Sequence, residues 1–201
     1  MKLYYSSTSP FVRKVNIFAM ECGLDGHIEW VKTNPWQAEA ELTADNPLSK
    51  IPTLITEDGE VIYDSRVICE YLDTLHEGRK LIPKLVDEHW PVLCLQVLAD
   101  GILDAGILRF MEAKRPQEQQ STDWDDLQNK AIVRGLDELE RTIKDWSQAP
   151  LNIGIISVGC LLGWLDFRFA SEDWRANRPG LRQWFEIFSK RYSMLHTEPK
   201  E

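Results

Sequence analysis

Four hydroxyl side chains in succession, Ser6, Ser7, Thr8 and Ser9, precede Pro10. Ser followed by Pro is a natural start for a helix: the hydroxyl accepts an unpaired N–H, and proline has no N–H to lose. Such a start carries partial positive charge and outward-facing N–H groups. With hydroxyls as donors it could hold a thiolate or a phosphate. On the residues alone, Ser9 as a simple cap explains the pattern equally well. Two further places share this double reading. Ile51-Pro52 precedes a short apolar run and reads as a strand-entry turn, while Asp64-Ser65 opens a helical pattern and reads as a cap.

The elements that must position these residues follow from periodicity. Residues 2–5 form a short strand. Residues 10–22 form a helix stopped by Gly23, with Phe11, Val15, Phe18, Ala19 and Cys22 on one face and Arg13, Lys14 and Asn16 off it. Residues 27–32 are a second strand, so the opening stretch is a βαβ unit with parallel pairing. Asn34-Pro35-Trp36 is a turn, residues 38–44 a short helix, and residues 46–52 are irregular around two prolines. Residues 53–56 and 61–63 are strands joined by the hairpin signal Asp58-Gly59. From Asp64-Ser65 a helix carries Val67, Ile68, Tyr71, Leu72 and Leu75 on its apolar face. Beyond a linker at 78–83 the pattern is all helical: residues 86–114 with a kink or late start at Pro91, a helix capped by Thr122 and reaching 146, then 153–169 and 179–189, ending in a loose tail at 197–201. The fold class is α/β plus all-α, with an N-terminal domain over 1–77 and a helical bundle over 84–201.

Composition narrows the function. The chain has 201 residues, 43% of them hydrophobic, enough for a sizeable core. Its formal charge of −9, with no Lys/Arg block, speaks against nucleic acid and anionic membranes as partners. The apolar stretch 153–169 is broken by Ser, Gly and Asp166 and reads as a buried helix; no leader pattern opens the chain, and a cytoplasmic location is expected. Cys22, Cys69, Cys94 and Cys160 are widely spaced within apolar helical patterns. They are expected to be buried, reduced thiols, and no metal site is expected.

A βαβ–ββα module followed by helices resembles the cytosolic glutathione transferase family, over essentially the whole chain. The N-terminal domain would then be thioredoxin-like. Lys50-Ile51-Pro52-Thr53-Leu54 is similar to the family's signature before its third strand, where the proline is cis. The resemblance implies that Ile51 offers its backbone N–H and C=O to the cysteinyl part of glutathione, an extended peptide meeting an unpaired strand edge. It implies that Asp64 takes the γ-glutamyl ammonium, and that Ser65 with its helix N-terminus takes the carboxylate. Ser9-Pro10-Phe11 resembles the Ser-Pro-Phe of serine-type bacterial members, whose hydroxyl donates to the glutathione sulfur. Ser9 is therefore the catalytic candidate, with Phe11 beside it and Thr8, Ser7 and Ser6 as alternatives. A free thiol titrates near about 8.5; a donor and the helix charge lower that value. Tyr4 and Tyr5 lie early for a tyrosine-type enzyme, and no Cys occupies the loop, against cysteine-dependent relatives.

Lys50 would complement the glycyl carboxylate, near Trp36 and Gln37. Asp100, Asp104, Arg109 and Glu112 form a polar set on the first long helix that reads as a solvated face; in family dimers an acidic residue there, here Asp104, reaches the partner subunit's glutathione. The implied protein is a homodimeric glutathione S-transferase whose thiolate attacks a small electrophile, in detoxification or in related chemistry such as peroxide reduction. The alternative is a non-catalytic module of the same fold that binds a ligand or a protein. Leu108, Met111, Arg115, Trp164 and Phe167 are candidates for the electrophile pocket. One departure from the family stands out. Asn152 can cap the buried helix, but Ile155 replaces the Asp that would close the capping box, so reduced stability or slower folding is expected.

Overall fold

Strand β1 (Lys2–Tyr5) occupies an inner position in a four-stranded sheet, flanked by β2 (Glu29–Lys32) and β3 (Thr53–Ile55), with β4 (Val61–Ile62) beyond β3. β1 and β2 are parallel, with Tyr4 opposite Val31. β1 and β3 are antiparallel, with Tyr4 opposite Thr53, and so are β3 and β4, with Leu54 opposite Ile62. The computed structural model describes residues 1–37 and 40–200. Two compact units make up the chain: Met1–Pro83 with Tyr192–Glu201, and Lys84–Arg191.

In the first unit, α1 (Pro10–Glu21) connects β1 to β2, and α3 (Ser65–Thr74) follows β4 and packs on α1. α1 ends in a Schellman turn: Leu24 N–H bonds Ala19 C=O at 2.8 Å, Gly23 N–H bonds Met20 C=O at 3.1 Å, and Gly23 has φ +69. A 3-10 turn at Asp25–His27 shortens the second strand relative to the sequence pattern. Of the short helix expected at 38–44, residues 38 and 39 lie outside the described residues; the remainder is α2 (Ala40–Asp45). Gly59, at φ +83, turns the hairpin between β3 and β4.

Two of the residues placed off the apolar face of the first helix are nevertheless not solvated. Arg13 and Lys14 are both buried. For Arg13 the cause is a helix the sequence pattern missed, α9 (Tyr192–His196), which packs on α1. Arg13 donates to Met194 C=O at 3.0 Å and to Thr197 Oγ1 at 3.3 Å. Lys14 lies 5.5 Å from the Phe11 ring centroid.

The second unit is all helical: α4 (Val86–Glu112), α5 (Thr122–Arg141), α6 (Ile143–Trp146), α7 (Ile153–Arg168) and α8 (Pro179–Phe188). α4 is long and apolar enough to cross a bilayer, but it packs on both α5 and α7 as a core helix. Ser121, not Thr122, caps α5, accepting Trp124 N–H at 3.2 Å; Ser121's own N–H is held by Glu112 Oε1 at 2.7 Å, which fixes the choice between the two hydroxyls. The helix expected to continue to 146 breaks at Thr142, whose hydroxyl donates to Glu138 C=O at 2.8 Å beside its backbone N–H at 3.0 Å. Asn152 caps α7 as expected, accepting Ile155 N–H at 3.0 Å. Asp100 and Glu112 are buried, and Arg109 pairs with Asp125 and Glu172, so of the expected solvated set only Asp104 is exposed. No disulfide joins the cysteines, and Cys69 and Cys160 are buried as expected, but Cys22 is half-buried and Cys94 is exposed on α4.

Candidate functional site

Strand direction gathers the candidate residues of the first unit. β1 and β4 run one way and β3 the other, so the end of β1, the start of β3 and the end of β4 share one end of the sheet. The hydroxyl run follows β1, Ile51-Pro52 precedes β3, and Asp64-Ser65 follows β4. β2, parallel to β1, delivers Thr33 and then exposed Trp36 and Gln37 to the same end, with Thr33 N–H bonded to Tyr5 C=O at 2.8 Å. α1 and α3 both begin there, so two helix N-termini face the same region.

The four hydroxyls are not equivalent. Ser7 donates to Lys200 C=O at 2.8 Å, so its proton is committed. Ser6 Oγ and Thr8 Oγ1 lie 3.2 Å apart and share one hydrogen bond. Ser9 is the N-cap of α1, with φ −79 and ψ 121, and its Oγ accepts Val12 N–H at 3.3 Å. The cap uses a lone pair and leaves the Ser9 proton available to donate. Phe11 follows, half-buried, in the first turn. Tyr4 is otherwise occupied: its hydroxyl donates to Asp45 Oδ2 at 2.7 Å and accepts from Lys2 Nζ at 2.9 Å, and burial pushes its pKa up. Tyr5 packs edge-on against Trp30.

The Ile51–Pro52 peptide bond is cis. Pro52 is buried, Ile51 half-buried and Lys50 exposed. This loop is shaped by a residue that the sequence pattern did not single out. Asn46 is buried; its Nδ2 donates to Lys50 C=O at 3.2 Å and Thr53 Oγ1 at 2.9 Å, and its Oδ1 accepts Leu48 N–H at 2.9 Å. Thr53 Oγ1 in turn donates to Lys50 C=O at 2.7 Å. The signal available was Asn directly before Pro47 in a turn segment.

Asp64 caps α3, accepting Arg66 N–H at 3.0 Å, while its side chain stays 62% exposed with Arg66 Nε 3.8 Å away. Ser65 is buried at the first helical residue. An exposed carboxylate beside a helix start can receive an ammonium and a carboxylate side by side. Asp104 belongs to the other unit, exposed on α4. At the opposite end of the first unit, burial and the Asp73 carboxylate push the Cys22 thiol up to about 12.

A thioredoxin-like sheet module joined to an all-helical unit defines the class, and the comparisons define the family. A model of the glutathione S-transferase N-terminal domain matches residues 8–75, and one of the C-terminal domain matches residues 102–186. The chain is 37% identical over 201 residues to the Uncharacterized GST-like protein YibF of Escherichia coli (strain K12), covering 99% of this chain and 98% of that one. A glutathione transferase family member from Pseudomonas fluorescens Pf-5, solved with bound glutathione, is 40% identical, covering 100% and 99% of the two chains, at a TM-score of 0.96. A glutathione S-transferase from Methylobacillus flagellatus KT, solved with glutathione bound, is 36% identical over 99% of both chains, at a TM-score of 0.92. The chain belongs to the glutathione S-transferase family.

Proposed function

We propose that this protein is a glutathione transferase in which Ser9 donates a hydrogen bond to the glutathione sulfur. One observation carries the assignment: among the four hydroxyls Ser9 sits at a helix start with its lone pair used for capping and its proton to spare. Ser7 is spent on a carbonyl, while Ser6 and Thr8 engage each other. The remaining roles follow from position at the same sheet end. Ile51, shaped by Pro52, pairs its backbone with the cysteinyl unit; Asp64 receives the ammonium, and Ser65 with the α3 N-terminus receives the γ-glutamyl carboxylate. Lys50 complements the glycyl carboxylate, and Phe11 walls the thiol. Solved relatives with bound glutathione support the ligand.

The thiolate then attacks a small electrophile, which fits a cytoplasmic detoxification role. A homodimer is part of this reading. α4 carries Trp90, Cys94, Val97, Gly101, Asp104 and Leu108 exposed along one heptad-spaced seam, a face suited to a second copy, and Asp104 would meet glutathione across it.

Calorimetric titration with glutathione tests the reading. Saturable binding is expected for the natural chain and weakened binding for Asp64→Ala and Ser65→Ala. Ser9→Ala should keep binding but raise the bound thiol's pKa by about one unit, the worth of one hydrogen bond of ~1.4 kcal/mol, read from thiolate absorbance against pH. No saturable binding by the natural chain overturns the proposal. An unchanged thiol pKa in Ser9→Ala, with loss in Thr8→Ala or Ser6→Ala, moves the role to that hydroxyl.

A further inference from the structure

The C-terminal ends of α1 and α3 meet at the end of the first unit away from the hydroxyl loop. There Cys22, Asp73 and His76 come together, each with one donor atom, and these atoms all lie within 4.8 Å of one another. The three donors are a thiol, a carboxylate and an imidazole. We propose that Cys22, Asp73 and His76 form a binding site for one divalent transition-metal ion of the zinc type.

Geometry supports the assignment. His76 Nε2 and Asp73 Oδ1 are 3.2 Å apart. Two donors at about 2.0–2.1 Å from a tetrahedral ion are separated by about 3.3 Å, so these atoms already stand at one edge of the polyhedron. The corresponding sulfur edges are about 3.5 Å, and the three donor atoms here all lie within 4.8 Å of one another.

Both buried ligands are fixed from behind. Asp73 Oδ1 accepts Leu81 N–H at 2.9 Å and Oδ2 accepts Ile82 N–H at 3.3 Å. Lys80 Nζ donates to the carbonyls of Asp73 and His76, tying down the backbone that carries them. The side chains of His76 and Asp73 are only 10% and 7% exposed. An added Cβ on Gly78 would lie 3.2 Å from His76 Nδ1, so Gly78 leaves the ring space on its other side. Outer hydrogen bonds of this kind hold ligands in place in metal sites. Cys22 is the C-cap residue of the Schellman turn, so its backbone is equally defined.

The donor set selects the ion class. Sulfur, nitrogen and oxygen together suit zinc or cobalt, whereas magnesium and calcium take oxygen alone. With Cys22 as thiolate, two ligand charges balance a divalent cation. Lys80 and Glu21, the other charged groups acting on Cys22, are of opposite sign. Three protein ligands leave a fourth position for water, as in open zinc sites.

Cobalt(II) tests this on the full chain after chelator treatment, without glutathione. One equivalent should produce a sulfur-to-cobalt charge-transfer band and intense tetrahedral visible bands, and zinc should displace it. The band should vanish in Cys22→Ser, persist in Cys94→Ser, and need at least about tenfold more cobalt in His76→Gln. Zinc should also raise the thermal midpoint of the natural chain but not of Cys22→Ser. No saturable band in the natural chain, or a band that survives Cys22→Ser and disappears in Cys94→Ser, overturns the proposal. These readouts do not depend on glutathione, so they stand or fall separately from the transferase reading.

Discussion

Replacing Asn46 by Ala removes three side-chain hydrogen bonds at once, to Lys50 C=O, Thr53 Oγ1 and Leu48 N–H. Each is worth about 0.5–1.5 kcal/mol net. The loss is not simply additive, because Lys50 C=O keeps its bond from Thr53 Oγ1 while Leu48 N–H is left without its acceptor. We expect destabilisation of about 2–3 kcal/mol. Equilibrium unfolding in urea should show a lower midpoint at unchanged slope, the mark of lost stability without a changed denatured state. The same loop carries Ile51, so glutathione affinity should fall by about tenfold, equivalent to ~1.4 kcal/mol, at a temperature where the variant remains folded. Thr53→Ala and the double variant complete a cycle. Because both side chains act on Lys50 C=O, the double variant should cost less than the sum of the singles. A stability change under about 0.5 kcal/mol, the size of a neutral surface substitution, with strictly additive singles would refute the view that Asn46 organises this loop.

In the metal-free protein, Cys22 should resist alkylation at pH 9–10 and label after denaturation, as followed by peptide mass spectrometry, since its thiol sits near 12. The sign for stability follows: between the ordinary value of 9.0 and about 12 the folded chain keeps a proton that the unfolded chain releases, so stability falls as pH rises through that window. Cys22→Ala should flatten that decline, measured as thermal midpoint against pH. Gly154→Ala would place a Cβ 2.7 Å from Val92 C=O and 3.0 Å from Leu95 Cβ on α4. A backbone oxygen cannot rotate away, so a cost of about 1–3 kcal/mol in urea unfolding is expected.

Much of the first unit could be read from residue types because its signals are local. Gly23 and Asp58-Gly59 punctuate the elements within a few residues, and Ser9 and Asp64 cap the helices they precede. The features that were not legible depend on partners far along the chain. Arg13 falls off the apolar face of α1, and it is α9, far along the chain, that buries it. Asn46 looks like any turn residue until its carboxamide is seen to bind both arms of the loop. The choice of Ser121 over Thr122 hangs on Glu112, on another helix. Cys22 meets Asp73 and His76 only because α1 and α3 pack in the same sense, a relation that no spacing encodes. Cys94 falls in an apolar pattern, yet that pattern includes the outward seam of α4.

The contact between α1 and α9 has a consequence for biosynthesis. α1 leaves the ribosome before the second unit, but Met194 and Thr197, which receive the Arg13 guanidinium, emerge only after every described helix of that unit. Until then the Arg13 guanidinium lacks these two acceptors, and the face of α1 that α9 will cover stays open to solvent or to a chaperone. The sheet module can therefore start early but must finish late. One of its steps is a docking event that joins α1 to a helix made after the whole second unit.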